Sequence, residues 1–285
     1  MRNYLLLFTL LFAACSKSDN DTPPRTTYPL EKLTNVAYGS DNRQKMDIYL
    51  AEAHDTSTPF ILFIHGGGWT AGNKEDMRNF QDFFLTKGIS SASMSYRYVS
   101  GSVHYGELMA DVNKAIDHIV GMNNWQSRKT KFVICGGSAG AHMSLLYGYN
   151  YDPANRISAI ISLAGPTKVD ERSFLEYAKT IGVIGALNNL AGATYATGQP
   201  INAKFSAASP INYVENVPTL LIHGTTDNIV PYQQATLLEA ELKAKSVPHK
   251  LVTLTGAGHD LGAANPLNVL LISNEMTAWV NKYGK

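Results

Sequence analysis

Residues 131–149 read KFVICGGSAGAHMSLLYGY. The stretch divides into three parts: an apolar run, KFVIC; a serine set between glycines, GGSAG; and the helix-like AHMSLLYGY. Strand, sharp turn and helix in succession is the setting in which G-x-S-x-G presents a nucleophile. Such a turn holds its serine in a strained backbone conformation at the edge of a sheet. Gly136 and Gly140 must then be small, so that strand and helix can approach. Ser138 would project its hydroxyl outward, and the N–H of Ala139 would point into the same space. A serine between glycines is otherwise only a turn, so the remainder of the chain has to supply its partners.

Working outward, apolar runs alternate with helical patterns. FILFIH (60–65), ISSASMSYRY (89–98), ISAIISLAG (157–165), VPTLLIHG (217–224) and HKLVTLTG (249–256) read as strands. Before them, VAYGS (36–40) and QKMDIYLA (44–51) read as two strands joined by a turn at SDNR. EDMRNFQDFFLTKG (75–88) closes on Gly88 as a helix should. ELMADVNKAIDHIVGM (107–122) spaces Leu108, Val112, Ala115, Ile116 and Ile119 along one helical face. Further helices are expected at 232–245 and 266–283. This alternation predicts an α/β fold, a mostly parallel sheet flanked by helices, with its site at the carboxyl ends of the strands. Residues 167–208 are too long for an ordinary connection and predict a lid insertion, helical over ERSFLEYAKTIG.

A serine hydroxyl is a weak nucleophile at neutral pH. It needs a base within hydrogen-bond reach, and that base needs an orienting acid. LLIHGTTDNIVP places Asp227 just after one buried strand, and LVTLTGAGHD places His259 just after the next. Both fall at the sheet edge that carries Ser138, in the chain order Ser, Asp, His. Asp260 and Asp170 are rivals for the acid, but Asp260 adjoins His259 and Asp170 lies in the lid. HGGGW (65–69) follows FILFIH directly. Its glycines can turn amides toward an oxygen that gains charge during acyl transfer, each such donor being worth roughly 3 kcal/mol. With Ala139, Gly67 and Gly68 are the expected donors of this oxyanion hole, and Gly66 is a third candidate. A phosphate loop would need G-x-G-x-x-G or a lysine followed by a hydroxyl, and neither is present.

HGGGW, GGSAG, HGTTDNIVP and GAGHD, in this order and spacing, resemble the α/β-hydrolase fold of esterases and lipases. Within it the resemblance is to the bifunctional feruloyl and acetylxylan esterases, near the hormone-sensitive-lipase-like esterases. It runs from about residue 36 to the C-terminus and includes MDIYLAEA and SYRY. It implies a serine esterase with Ser138 as nucleophile, Asp227 as acid and His259 as base. It also implies no metal or organic cofactor, and small-molecule or polysaccharide esters as substrates. Gly137 stands where the hormone-sensitive-lipase-like group usually has an acidic residue, which favours the feruloyl and acetylxylan group. The alternatives are an arylformamidase, a peptidase on the same fold, or a non-catalytic surface lipoprotein that binds glycans. Of the other polar and aromatic residues, His142 and His223 read as structural. Trp69 reads as pocket wall or as core. Phe174, Tyr177, Tyr195 and Phe205 read as lid aromatics, more of them core than contacts.

Composition bounds the rest. The chain has 285 residues, 45% hydrophobic, with a net charge of +1, which suits one sizeable domain and argues against a nucleic-acid partner. Met1-Arg2 precedes an apolar run, Tyr4 to Ala14, that ends at Cys15. The run is shorter than the roughly 20 residues a membrane span needs. LFAAC resembles a bacterial lipoprotein cleavage box, so residues 1–15 are expected to form a signal peptide with Cys15 as the lipidated residue. Residues 16–34 would be a flexible tether and 35–285 the catalytic domain. The protein would be exported and lipid-anchored to the outer membrane, facing the periplasm or the cell surface. Cys135 is the only other cysteine and is expected to pack as a small hydrophobe, and the eight histidines show no ligand spacing.

Overall fold

The computed structural model describes residues 27–122 and 131–284. The expected signal peptide, Cys15 and residues 16–26 of the expected tether lie outside the described residues. The strands are β1 (Glu31–Ala37), β2 (Lys45–Leu50), β3 (Phe60–Ile64), β4 (Ser90–Met94), β5 (Phe132–Gly137), β6 (Ile157–Leu163), β7 (Thr219–Gly224) and β8 (His249–Leu254). They form a single sheet in the order β1-β2-β4-β3-β5-β6-β7-β8. β1 and β2 run antiparallel to their neighbours, and all pairings from β4 to β8 are parallel. This is the α/β-hydrolase sheet that the sequence predicts.

The continuous apolar runs are explained by coverage of both faces. Along β3, Phe60, Leu62 and Ile64 enter one core, and Ile61 and Phe63 enter the other. In β5, Phe132 and Ile134 take the first side, Val133 and Cys135 the second. Alternation of side chains along a strand divides one apolar run between two layers. The first layer is covered by α2 (Tyr105–Gly121), α3 (Ala139–Leu146) and α7 (Gln233–Ala244), and the second by α1 (Arg78–Leu85) and α8 (Pro266–Tyr283). Each fully buried Leu, Ile or Phe contributes about 1.5–3 kcal/mol of transfer free energy. β4 is the mixed case. Its Ser93 hydroxyl donates to Gln81 Oε1 at 2.8 Å and contacts the Lys74 carbonyl at 2.9 Å, so the buried polar groups are satisfied.

Two boundaries differ from the sequence reading. The tether does not extend to residue 34, because β1 already begins at Glu31 and Tyr28 N–H donates to the His54 carbonyl at 3.0 Å. β1 is an edge strand with mostly exposed side chains, so patterning catches only its end: of the expected strand VAYGS, Val36 and Ala37 belong to β1 and residues 38–40 lie beyond it. Its pairing shifts register between Leu33 and Val36, where Asn35 has a positive φ and donates its N–H to Asp47. Within residues 167–208, the expected lid, α4 (Arg172–Thr180) lies where a helix is expected, but the small-residue segments also fold, as α5 (Ile184–Ala191) and α6 (Ala203–Ala207).

Candidate active site

β5 runs into α3 through Ser138, whose φ of 51° and ψ of −116° lie in a region that non-glycine residues avoid. The strain is held by packing on both sides. The Ser138 N–H donates to the Leu163 carbonyl at 2.8 Å, and the His142 N–H returns to the Ser138 carbonyl at 3.0 Å. A Cβ on Gly140 would lie 2.1 Å from the Ile64 carbonyl oxygen, so α3 rests directly on the end of β3. Gly137 is different, since a Cβ there meets nothing within 4 Å.

Ser138, Asp227 and His259 come together at the carboxyl ends of β5, β7 and β8. Ser138 Oγ lies 2.9 Å from His259 Nε2, and His259 Nδ1 lies 2.7 Å from Asp227 Oδ2. Asp227 Oδ1 accepts from the N–H groups of Ile229 and Val230, both at 2.9 Å. Burial alone would raise this carboxyl, but hydrogen bonds from His223, His259 and the two amides outweigh it and hold it well below the usual range. An ionised Asp227 only accepts, so His259 carries its proton on Nδ1 and offers Nε2 to the serine hydroxyl. The rivals point elsewhere: Asp170 pairs with Lys168 at 3.1 Å, and Asp260 caps Gly262 N–H at 2.9 Å.

The HGGGW loop lies against the serine. A Cβ on Gly66 would sit 3.4 Å from Ser138 Cβ. Gly67 has a φ of 105°, and its added Cβ would strike the Ala71 carbonyl oxygen at 2.2 Å; its own carbonyl accepts from Thr70 and Ala71. Among the described residues, the N–H groups of Gly67 and Gly68 meet no acceptor. The loop is backed by Tyr96, whose ring stacks on His65 at 4.3 Å and whose hydroxyl donates to the His65 carbonyl at 3.1 Å. Burial lowers His65 to about 4, so it is a neutral structural element.

His142 is fully buried, donates Nε2–H to the Ala208 carbonyl at 2.7 Å and is likewise lowered by burial to about 4. It ties α3 to the lid rather than serving as a base. Trp69 does both things expected of it. Only 5% exposed, it packs edge-on against His142 at 5.2 Å and also lines the pocket. Burial pushes the Cys135 thiol up, which leaves it inert. Among the described residues, no cluster of three or more His, Cys, Asp or Glu is placed to hold a metal ion.

Ser138 and His259 open into a cavity of about 890 Å³. Its wall is mainly apolar, with Phe174, Val183 and Leu187 from α4, α5 and the turn between them and Phe80, Val269 and Ile272 from α1 and α8. Of the lid aromatics, Phe174 lines the cavity, while Tyr195 and Phe205 are lid core. Tyr177 donates its hydroxyl to the Asn228 carbonyl at 2.6 Å, fastening α4 to the loop that carries Asp227. The contribution of α8 to the wall and the second histidine on Asp227 are absent from the sequence reading. The only available signal for His223 is its place at the carboxyl end of β7.

Comparison with known proteins gives three kinds of match. The family model described as BD-FAE matches residues 46–242. Esterase LipC of Mycobacterium tuberculosis is 26% identical over 245 residues, covering 79% of this chain and 58% of its own length. The kynurenine formamidase of Salmo salar is 25% identical over 116 residues, 41% of this chain and 38% of its own. The chain thus spans about half the length, or less, of these curated relatives. A solved structure, a truncated form of a carbohydrate esterase from gut microbiota, superposes with a TM-score of 0.70 at 22% identity, over 91% of this chain and 99% of that one.

Proposed function

The chain belongs to the BD-FAE family, and from that premise we propose that it is a serine esterase working through an acyl-enzyme. The observation that carries the reading is the unbroken relay from Ser138 Oγ through His259 to Asp227, at 2.9 and 2.7 Å. His259 Nε2 takes the serine proton as Oγ attacks the ester carbonyl carbon. The carbonyl oxygen becomes an oxyanion and is met by the N–H groups of Gly67, Gly68 and Ala139. Collapse of the tetrahedral intermediate breaks the ester C–O bond, and His259 hands its proton to the leaving alkoxide. Water then repeats the sequence on the acyl-enzyme and releases the acid and free Ser138. Asp227, kept ionised by its four donors, stabilises the imidazolium in both halves.

The substrates proposed are acetyl or feruloyl esters of plant polysaccharide. The likeness to a carbohydrate esterase supports this class, and a cavity of about 890 Å³ with aromatic walls has room for a feruloyl group. The test is turnover of 4-nitrophenyl acetate and methyl ferulate with Ser138→Ala as control. Hydrolysis that survives the substitution sinks the reading. The formamidase relative motivates a second substrate, formanilide, because the same relay would cleave an amide. Formanilide turnover well above ester turnover would move the assignment there. We also propose export and lipid attachment at Cys15, to be checked by the release of a Cys15→Ala variant from membranes.

A further inference from the structure

We propose that His223 is a positioning residue for this relay, a second histidine that holds the Asp227 carboxylate in the orientation His259 needs. The inference rests on the catalytic reading of Ser138, His259 and Asp227. His223 is the penultimate residue of β7 and only 2% exposed. Its Nε2 lies 2.8 Å from the Val230 carbonyl and 3.2 Å from Asp227 Oδ2. A carbonyl and an ionised carboxylate only accept, so Nε2 must carry a proton, and that proton is shared between them. Oδ2 therefore receives His259 and His223, while Oδ1 receives the amides of Ile229 and Val230. With four donors on two oxygens, rotation of the carboxylate would break several bonds at once.

Two consequences follow for the chemistry. One ring ties both ends of the Asp227–Val230 turn, fixing where Oδ2 stands relative to His259. The same N–H also draws charge from the oxygen that faces His259, which moderates the pull of Asp227 on the imidazolium. The other titratable groups around this turn are accounted for. Tyr232, the residue that caps the start of α7, packs edge-on against His223 at 5.9 Å with its hydroxyl paired to Thr253. Tyr177 of α4 is spent on the Asn228 carbonyl, and Asp260 beside His259 is turned to Gly262.

The test compares His223→Phe and His223→Asn, which lose the donor at that reach, with His223→Gln, whose amide can meet both acceptors. In the first two, kcat should fall roughly tenfold with KM little changed, as is usual when a residue that orients a catalytic group is lost. The acidic limb of the rate profile should move to higher pH, because Oδ2 left to His259 alone favours the imidazolium more strongly. The glutamine variant should recover most of the rate and the original limb. Labelling of Ser138 by a fluorophosphonate, measured against pH, gives the same readout without any choice of ester. Unmoved acidic limbs in the phenylalanine and asparagine variants would overturn the proposal, as would a glutamine variant no better than they are. A wild-type protein that labels at Ser138 but hydrolyses no ester would overturn the esterase reading alone.

Discussion

A Cβ placed on Gly136 would lie 2.2 Å from the carbonyl carbon and oxygen of Gly140. The two glycines thus let α3 fold back over the end of β5, and the strained Ser138 between them is held by that contact. Gly136→Ala and Gly140→Ala should each destabilise the protein by about 3 kcal/mol or more, since the obstacle is backbone that cannot rotate away. Gly137→Ala meets open space and should be neutral or slightly stabilising, because alanine restricts the unfolded chain. Urea titration of the three variants separates these outcomes.

The strain itself predicts a gain. Ser138→Gly removes a side chain from a residue with a φ of 51°, a conformation costing on the order of 1–3 kcal/mol for non-glycine residues. The variant should be inactive and should melt higher than the wild type in calorimetry. An unchanged or lower melting temperature would mean that the hydrogen bond to His259 outweighs the strain.

What was legible in the sequence is what depends on period and order. β3, β5 and β7 announce themselves as buried runs, and Ser138, Asp227 and His259 stand at strand ends in the expected order. What was not legible depends on contacts across the fold. β1 has no buried side chain to pattern, and only its last two residues, in VAYGS, fall within an expected strand. The α5 segment IGALNNLA carries no charge pattern to reveal its exposed face. His223 looks like any strand residue until the turn from Asp227 to Val230 brings a carboxylate and a carbonyl to its Nε2. The apolar face of α8 can be read, but not that Val269, which is exposed, and Ile272, which is also core, both line Ser138's cavity.

Asp227→Asn should keep the fold and lose the chemistry. The amide can still accept from Ile229 and Val230, but an amide nitrogen facing His259 would favour the wrong tautomer of the imidazole. A loss of roughly 10⁴-fold in kcat is the magnitude expected for such a change. Steady-state kinetics beside a melting curve decide it. A small kinetic loss would place the acid elsewhere, with Asp260 the neighbour to test.

Stability should fall on mild acidification for reasons unrelated to the carboxylates. His65 and His142 are lowered from 6.5 to about 4 by burial. Between those values the unfolded chain binds protons that the folded chain refuses, so stability declines as pH falls from about 6.5 to 4 and levels off below. Each such histidine costs up to about 1.4 kcal/mol per pH unit within the window. Asp227 acts in the same direction in a lower window: its contribution is complete above the ordinary carboxylate value and is lost as pH falls below it. Melting temperatures between pH 7.5 and 4.5 should therefore drop, and His142→Gln should flatten the slope. An unchanged slope in that variant would show that His142 is protonated in the folded protein.

Gly137 gives the sharpest handle on the cavity. It lines the pocket beside Ser138, its φ is not in the left-handed region, and a side chain there would grow into open space. Gly137→Phe should fold normally and fill part of the 890 Å³ that a bulky acyl or alcohol group would occupy. Each methylene excluded from an apolar wall forfeits about 0.8 kcal/mol, close to a fourfold change in kcat/KM. The variant should thus lose at least tenfold on methyl ferulate or 4-nitrophenyl octanoate while keeping acetate turnover within about threefold, since acetate needs little of the wall. Parallel losses on all three esters would overturn the prediction and mean that the phenylalanine acts on the Ser138 turn itself rather than on the room left in the cavity.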